Sequence, residues 1–307
     1  MKGTPQSGIL PEDGAFGLFL TFSLNNAGAL APVLRRCRDI PGLTSDIGAR
    51  DPRANLTSVV GFGWDLWQRL ADVTSPSGFR NFTPIGTEPL QAPATGGDIF
   101  IHIHSGRHDL NFLLAREILQ PIRQEIDVLD ETHGFRYLDS RDLTGFIDGT
   151  ENPQGAERAE AALIDNGDSA FTGGSFILAQ RYVHDLEKWG RLAETEQEKV
   201  IGRTKPDSVE LEDSEKPPTA HISRVVIEEQ GEELEILRHS MPYGTVSGEA
   251  GLFFLAYSKD ISIFDKMLAR MFGVSGDGLH DHLMDYTRPV SGAYFYAPPA
   301  DILVSLS

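Results

Sequence analysis

The clearest alternation of hydrophobic and polar positions lies at residues 98–104, which read Asp-Ile-Phe-Ile-His-Ile-His and predict a β-strand. Aromatic and aliphatic residues predict further strands at 15–22 and 56–62, and a strand followed by a turn at 126–138. Helices are predicted at 29–39, 64–70 and 109–124, the last from leucines and isoleucines at helical spacing. The first half of the chain therefore mixes strands and helices.

The second half follows a similar order after an irregular stretch at 145–174. Its pattern predicts a helix at 260–272 and strands at 175–183, 222–228, 235–240, 252–257 and 293–297. Residues 194–216 are rich in Glu, Asp and Lys and contain a proline, which predicts a solvated connection between elements.

A faint internal repeat relates the two halves. In each half a strand that ends in serine leads into a helix containing Leu-Ala-Arg, at 114–116 and at 268–270. This arrangement predicts an α+β fold of two ferredoxin-like domains in tandem, each an antiparallel sheet with packed helices. We expect the domains to span 1–138 and 139–307.

Charge and composition exclude several classes of partner. The 307 residues include 27 basic and 45 acidic ones, and the formal net charge of −18 argues against a nucleic-acid partner. There is no apolar run of about 18 residues, so we expect no membrane span. The N-terminal segment 1–12 has one Lys and no long apolar stretch, which makes it a poor secretory signal. With Cys37 as the sole cysteine, we expect a cytoplasmic protein without an intrachain disulfide.

Two glycines bracket Asp148 in the segment Gly-Phe-Ile-Asp-Gly-Thr-Glu-Asn-Pro at 145–153. Glycine permits backbone conformations and close approaches that other residues forbid, so this loop can aim a carboxylate at a flat ligand. The alternative is an ordinary turn in which Asp148 caps a backbone amide, and composition alone favours that alternative.

The segment 235–240 reads Glu-Ile-Leu-Arg-His-Ser and predicts a strand with Arg238 between Ile236 and Ser240 on one face. A guanidinium group stays charged, so burying it requires an anionic partner, for which Asp148 is a candidate. The alternative is an exposed edge strand with a solvated arginine.

Histidine is the commonest metal ligand among side chains, and the chain has nine. His221 begins the predicted strand 222–228, from which it can reach a metal, although an ordinary polar role is more common. His102 and His104 share one face of the predicted strand and form a candidate metal site with His108. The other histidines are interpreted as structural or exposed, or carry no second supporting feature: His133, His184, His239, His280 and His282.

Taken in chain order, several of these motifs resemble the dye-decolorising peroxidases, and most closely their bacterial class B group. The motifs are GFIDGTENP at 145–153, IGRT at 201–204, His221, LRHSMPYG at 237–244 and GLFFLAYSKD at 251–260. The segments PQSGILPE at 5–12, GGDIFIHIHS at 96–105 and HGFRYLDSRDLTGF at 133–146 extend the resemblance over nearly the whole chain.

The resemblance implies a two-domain ferredoxin-like fold of the dimeric α/β-barrel type that binds haem b in its C-terminal half. By motif position, His221 is implied as the proximal iron ligand, hydrogen-bonded by Asp281. Asp148 and Arg238 are implied as the distal catalytic pair. The other residues implied at the haem are Arg203 at a propionate, Thr150 and Glu151 at the haem edge, Leu252 and Phe254 on the distal wall, and Ser240 where some relatives carry Asn.

The same resemblance implies a peroxidase. It reduces hydrogen peroxide with the help of Asp148 and Arg238, passes through a ferryl intermediate, and oxidises organic donors such as dyes and phenolics. A homo-oligomer, either a dimer or a multiple of dimers, is also implied. Two alternatives stay open: a haem-handling protein without peroxidase turnover, and a non-haem metal oxygenase built on His102, His104 and His108.

Overall fold

The computed structural model describes residues 3–12, 14–70, 74–165 and 170–306. The first two residues of the N-terminal segment and four residues of the irregular stretch at 145–174 therefore lie outside the described part. The strands are β1 (Phe16–Leu24), β2 (Thr57–Phe62), β3 (Ile85–Thr87), β4 (Leu90–Ala92), β5 (Ile99–Ser105), β6 (Ile126–Phe135), β7 (Ser175–His184), β8 (Glu228–Glu229), β9 (Glu232–Glu233), β10 (Leu237–Arg238), β11 (Met241–Gly244), β12 (Ala250–Ser258), β13 (Thr287–Pro289) and β14 (Ala293–Ala297).

The α-helices are α1 (Leu30–Gly48), α2 (Trp64–Trp67), α3 (His108–Leu119), α4 (Glu157–Ala162), α5 (Leu186–Trp189), α6 (Glu194–Ile201), α7 (His221–Val225), α8 (Ile261–Met271) and α9 (Ala300–Ser305). Short 3-10 helices lie at Ala27–Ala29, Pro52–Ala54, Gln120–Ile122 and His282–Asp285. No described helix is long and apolar enough to cross a membrane.

Strands from both halves of the chain close into a ring. Around the ring the order is β12, β11, β6, β1, β5, β2, β14 and β7, and β7 pairs with β12 to close it. The two halves meet at two single residue pairs, Tyr243 with Gly134 and Tyr296 with Phe62. The sheet is thus a closed antiparallel barrel in which each half contributes four neighbouring strands.

Each half has the strand order of a ferredoxin-like fold, as predicted. In the first half the order is β6, β1, β5 and β2, with α1 and α3 as connections, and in the second it is β11, β12, β7 and β14. The two Leu-Ala-Arg segments lie on α3 and α8, which follow equivalent strands. The α+β prediction is therefore confirmed.

Aromatic side chains from both halves fill the inside of the barrel. Phe19 stacks on Phe253 with ring centroids 4.1 Å apart, and Phe100 lies 5.3 Å from Phe295. Stacked aromatic pairs contribute stability beyond the apolar area that they bury. Because β5 has one face inside the barrel and the other beneath α3, all its residues are buried.

The outer face of β7 and β12 supports the site. Gln180 and Tyr182 of β7 lie opposite Phe254 and Leu252 of β12, and the side chains alternate between the two faces of the sheet. The helix α8 packs against β7 and β12 on the outer side, and α7 packs on α8. This packing leaves a space between the outer face of the sheet and the two helices.

The predicted strand at 222–228 is wrong, because residues His221–Val225 form the helix α7. The β-branched residues of this segment favour a strand locally. In the structure Ile222, Val225 and Val226 recur at helical spacing and line one cavity, so tertiary packing overrides the local preference. His221 therefore begins a helix and not a strand.

Several other element bounds differ from the prediction. The first helix runs to Gly48 and not to residue 39, and the predicted helix at 64–70 is the single turn α2. The predicted strand at 235–240 pairs at Leu237–Arg238, where β12 is its partner. The predicted solvated connection at 194–216 contains the helix α6.

Candidate active site

A cavity of about 1520 Å³, counted with the space that opens to solvent, lies between the sheet and the helices α7 and α8. Much of its wall is apolar, with Leu178, Met267, Leu268 and Met284 among the lining residues. It brings together these residues singled out from the sequence: Asp148, Thr150, Glu151, Arg203, His221, Arg238, Ser240, Leu252 and Phe254.

His221 faces the cavity from the first position of α7. Its Nδ1 atom lies 2.6 Å from Oδ2 of Asp281, whose side chain is fully buried behind it. The other carboxylate oxygen of Asp281 accepts a hydrogen bond of 2.9 Å from the backbone N–H of Leu283. A carboxylate on one ring nitrogen strengthens imidazole as a donor and leaves Nε2 to bind a metal.

Asp148 and Arg238 approach each other in the same cavity. The Nη1 atom of Arg238 lies 3.6 Å from Oδ1 of Asp148, so the predicted pairing is confirmed. Asp148 is carried by a loop in which Gly149 has a φ of +87°, a left-handed conformation that favours glycine. Arg238, Ile236 and Ser240 line the cavity, whereas Leu237 and His239 are buried on the opposite side, as strand alternation predicts.

The surroundings of Asp148 determine its proton affinity. Burial raises the pKa of Asp148 above its ordinary value, and the negative charge of Asp142 adds to this rise. The positive charge of Arg238 and the amide of Gly149 lower the pKa, but less than burial raises it. The net direction, which the sequence leaves open, is upward.

The side chain of Asn152 was not singled out from the sequence. Its Nδ2 atom donates a hydrogen bond of 2.9 Å to the backbone carbonyl of Arg238, and its Oδ1 atom accepts one of 2.9 Å from the backbone N–H of Arg238. These two hydrogen bonds hold the loop that carries Asp148 against the strand that carries Arg238. The Asn-Pro pair at the end of GFIDGTENP was the sequence feature that could have indicated a structural role for Asn152.

Arg141 was also missed, and it ties the same loop to the two residues that follow the IGRT segment. Its guanidinium donates hydrogen bonds of 2.7 Å to the backbone carbonyls of Gly145, Lys205 and Pro206. Lys205 and Pro206 lie 64 and 65 positions away in the sequence, and all three acceptors belong to the backbone, so residue types give no signal for them.

His184 lines the cavity, although it was interpreted as structural or exposed. Its Nε2 atom lies 3.1 Å from Oδ1 of Asp142, and its Nδ1 atom lies 2.7 Å from the hydroxyl of Thr287. Burial tends to raise the pKa of Asp142. The attraction of His184 and the hydrogen bonds from Thr144 outweigh burial, and the pKa falls to about 2. Asp142 therefore places a negative charge near Asp148, which raises the pKa of Asp148.

Arg203 supplies a positive charge at the edge of the cavity. It forms an ion pair with Glu151, and its Nη1 atom donates a hydrogen bond of 2.7 Å to the carbonyl of Ser208. Its Nε atom is buried and has no hydrogen-bond partner among the described residues. An anionic group of a ligand in the cavity can satisfy this nitrogen, because buried N–H groups are rarely left unpaired.

The candidate metal site with His108 does not form as predicted. His108 is exposed and lies against the rings of Phe16 and His133. His102 and His104 are fully buried and have His239 as their neighbour instead. The combination of His102, His104 and His108 is therefore wrong.

The cavity requires a ligand with apolar faces, a metal for the Nε2 atom of His221, and an anionic edge for Arg203. Haem meets these requirements together, since it joins an iron and two carboxylates to a flat apolar ring. The carboxylate and guanidinium of the Asp148–Arg238 pair add the proton carrier and the positive charge that peroxide cleavage requires. Fold and site thus define a protein of the haem peroxidase class.

Comparison with known proteins narrows this class to one family. The family model for the N-terminal domain of Dyp-type peroxidases matches residues 6–136, and the model for their C-terminal domain matches residues 139–302. The chain belongs to the Dyp-type peroxidase family.

Similar proteins cover nearly the whole chain. A dye-decolorizing peroxidase of Mycobacterium tuberculosis is 39% identical over 98% of this chain and 90% of its own length. A dye-decolorizing protein from V. cholerae is 46% identical, covers 98% of this chain and 99% of its own, and superposes with a TM-score of 0.94. A DypB variant from Rhodococcus jostii RHA1 in complex with heme is 37% identical, covers 100% of both chains and has a TM-score of 0.94.

Proposed function

We propose that this protein is a haem-dependent peroxidase that reduces hydrogen peroxide and oxidises organic donors such as dyes and phenolics. The observation that carries this proposal is the Asp148–Arg238 pair, which lies in the same cavity as His221. A protein that only binds haem or releases its iron needs the cavity and His221. It has no need of a carboxylate paired with a guanidinium at 3.6 Å.

We assign haem b to the cavity, with Nε2 of His221 as the iron ligand and Asp281 as the group that orients and polarises His221. Arg203 is the partner for a haem propionate, and Thr150 and Glu151 lie at the haem edge. Leu252, Phe254 and Ser240 line the wall on the side of the sheet. When bound, the haem supplies the redox chemistry, in which two one-electron oxidations of donors provide the electrons that reduce peroxide to water.

Asp148 and Arg238 have separate roles in the reaction with peroxide. The ionised carboxylate of Asp148 accepts the proton from one peroxide oxygen and returns it to the other, which departs as water. Arg238 stabilises the negative charge that develops as the O–O bond breaks, and its charge also favours the ionised form of Asp148. Asn152 keeps the two side chains at their mutual distance through its hydrogen bonds to the backbone of Arg238.

A smaller cavity supports a separate route for peroxide. It shares Asp148, Arg238 and Ser240 with the larger cavity, and Glu12 and Tyr137 also line it. We propose that hydrogen peroxide reaches Asp148 by this route. Donors too bulky to enter the site deliver electrons from the protein surface or the open edge of the larger cavity.

Three further expectations from the sequence remain proposals: domains at 1–138 and 139–307, a homo-oligomer of one dimer or several, and a cytoplasmic location. Light scattering of the purified holoprotein measures the oligomer, and cell fractionation measures the location. Separate expression of the two domains, followed by circular dichroism, tests the boundary.

The central test compares peroxide turnover with haem handling. The purified holoprotein is mixed with one equivalent of peroxide, and the visible spectrum is recorded before and after. Dye oxidation is then measured in the steady state, and release of iron from haem is measured by an iron chelator. We expect a spectral change and peroxide-dependent dye oxidation well above that of free haem. Iron release without peroxide turnover would support the haem-handling alternative.

A further inference from the structure

Aromatic side chains lead from the wall of the proposed haem cavity to the surface of the protein. Thr144 and Phe146 line the cavity. The buried ring of Trp189 has its centroid 6.1 Å from that of Phe146, and its Nε1 atom donates a hydrogen bond of 2.9 Å to the carbonyl of Thr144. The partly exposed ring of Tyr286 lies in turn 5.3 Å from that of Trp189.

Indole and phenol lose an electron far more readily than the phenyl ring of phenylalanine, and the chain has three tryptophans and seven tyrosines. Five tyrosines are buried, and Tyr137 and Tyr286 are partly exposed. Tyr137 lines the smaller cavity. Trp64 is also partly exposed, but it contacts Phe79 and lines neither of the two cavities. Tyr286 is therefore the partly exposed residue of this kind whose ring contacts lead to the larger cavity.

The surroundings of Trp189 suit an indole that loses an electron and keeps its proton. Its N–H is bonded to a backbone carbonyl, which is a hydrogen-bond acceptor but a very weak base. The ionised carboxylate of Asp142 accepts hydrogen bonds of 2.9 Å and 2.6 Å from the backbone N–H and the hydroxyl of Thr144. A negative charge on the residue chain that Trp189 bonds favours a positive charge on the indole.

The phenol of Tyr286 is held in place where solvent can reach it. The Nζ atom of Lys188 lies 4.9 Å from the centre of its ring and donates a hydrogen bond of 2.8 Å to the carbonyl of Asp285. Burial and the negative charges of Asp285 and Glu196 raise the pKa of Tyr286 above its ordinary value, so the resting phenol carries its proton. When the phenol loses an electron, this proton can leave to water.

We propose that Tyr286 is the site at which bulky phenolic and dye donors are oxidised, with Trp189 as the relay between Tyr286 and the haem cavity. This inference rests on the proposed peroxidase function. An electron passes from the donor to Tyr286, then to Trp189 and into the cavity, where bound haem supplies the acceptor. Each hydrogen peroxide takes up two electrons and two protons and becomes two water molecules, so two phenolic donors each lose one electron and one proton.

The first test separates donor oxidation from the reaction with peroxide. Tyr286→Phe keeps a ring against Trp189 and removes only the hydroxyl, so the fold is retained. We expect its reaction with peroxide, measured by stopped flow, to be as fast as in the wild type. Its kcat/KM for Remazol Brilliant Blue R, a sulfonated anthraquinone dye, should fall by about tenfold or more. The control Trp64→Phe also removes a partly exposed redox-active side chain and should keep both rates.

The second test does not depend on turnover. The holoprotein is mixed with one equivalent of peroxide and the spin trap methylnitrosopropane, without a donor, and mass spectrometry of peptides locates the adduct. We expect the adduct at Tyr286 in the wild type and its loss in Trp189→Phe, in which the path to the cavity is interrupted. The stopped-flow reaction with peroxide should continue in that variant.

Three results would overturn the proposal: a Tyr286→Phe variant that oxidises the dye as well as the wild type, an adduct on other residues and not on Tyr286, or an adduct that persists at Tyr286 in Trp189→Phe. If Trp189→Phe does not fold, the wild-type adduct and Tyr286→Phe decide. A wild type that does not react with peroxide would refute the proposed peroxidase function itself. A normal peroxide reaction without an adduct at Tyr286 would refute the relay alone.

Discussion

The Nδ1 atom of His221 lies 2.6 Å from the Oδ2 atom of Asp281, a carboxylate with no exposed side-chain surface. The two residues are 60 positions apart in the sequence, and the contact joins the start of α7 to the 3-10 helix at His282–Asp285. Because Asp281 occupies Nδ1, the ring can offer only Nε2 to an iron. The contact therefore determines both the tautomer and the donor strength of His221.

Replacement of Asp281 by Asn should weaken this control without disturbing the local backbone. Asn retains an oxygen that can accept the hydrogen bond from Leu283, so the start of the 3-10 helix is kept. We expect the reduction potential of the haem to rise and its dissociation to become about 10–100 times easier, as for other groups that support a metal ligand. Potentiometric titration and haem transfer to apomyoglobin measure the two effects. Values equal to wild type would show that Asp281 does not act on His221.

Replacement of His221 by Ala should remove most of the bound haem, because the proposed bond between the protein and the iron is lost. The haem content of the purified variant and its ferric spectrum are the measurements. His282→Ala is the matched control, since His282 is exposed beside Asp281 and does not line the cavity. Full haem occupancy with an unchanged spectrum in His221→Ala would exclude it as the ligand.

Replacement of Arg238 by Leu should leave haem bound and slow the reaction with peroxide by about 10²–10³, the usual effect of removing one preorganised charge donor. Stopped-flow mixing of ferric enzyme with peroxide gives the rate. Arg35→Leu, an exposed position on α1, controls for loss of a surface charge. A rate within a few-fold of wild type would contradict the assigned role of Arg238.

The rate of the reaction with peroxide should fall at low pH, and Asp148 should set the pH at which it falls. This acidic part of the pH profile is called the acid limb. The carboxylate must be ionised to accept a proton, and burial raises its pKa above the ordinary value. The rate should therefore fall as the pH drops through a value above the carboxylate reference of about 3.9. Rates are measured from about pH 3 to about pH 8 in wild type and Asp148→Asn.

We expect Asp148→Asn to be slow at every pH and to lack this limb. In Arg238→Leu the limb should move to higher pH, because the charge that lowers the pKa of Asp148 is gone. A limb that is identical in wild type and Asp148→Asn would mean that another group carries the proton.

Asn152 is predicted to be a positioning residue. In Asn152→Ala both hydrogen bonds to the backbone of Arg238 are lost, so the distance between Asp148 and Arg238 becomes variable. We expect haem to stay bound and the peroxide rate to fall by about 10- to 100-fold, a usual result of misplacing a catalytic group by about an ångström. The acid limb should shift towards that of Arg238→Leu. A lower melting temperature with an unchanged rate and limb would indicate a structural role alone.

The sequence by itself determined those helices and strands whose hydrophobic pattern depends only on residues close to one another in the chain. The predicted strand at 293–297 coincides with β14, and β5, β7 and β12 fall within a few residues of their predicted bounds. The repeat of Leu-Ala-Arg identified two related halves. The motif order also indicated which residues meet in one cavity, because each motif residue type is tied to a chemical need of the site.

The tertiary structure decided what depends on distant partners. Residues 221–225 form a helix because packing on α8 outweighs their β-branched composition. Asn152 meets Arg238 across 86 positions, and the direction of the Asp148 pKa follows from burial, which local sequence does not specify. His239 contacts His102 and His104 because closure of the barrel brings side chains of its two halves together in its interior. The periodicity of hydrophobic residues predicts which face of a helix or strand a side chain occupies. Only the closed fold decides which of these faces pack against each other.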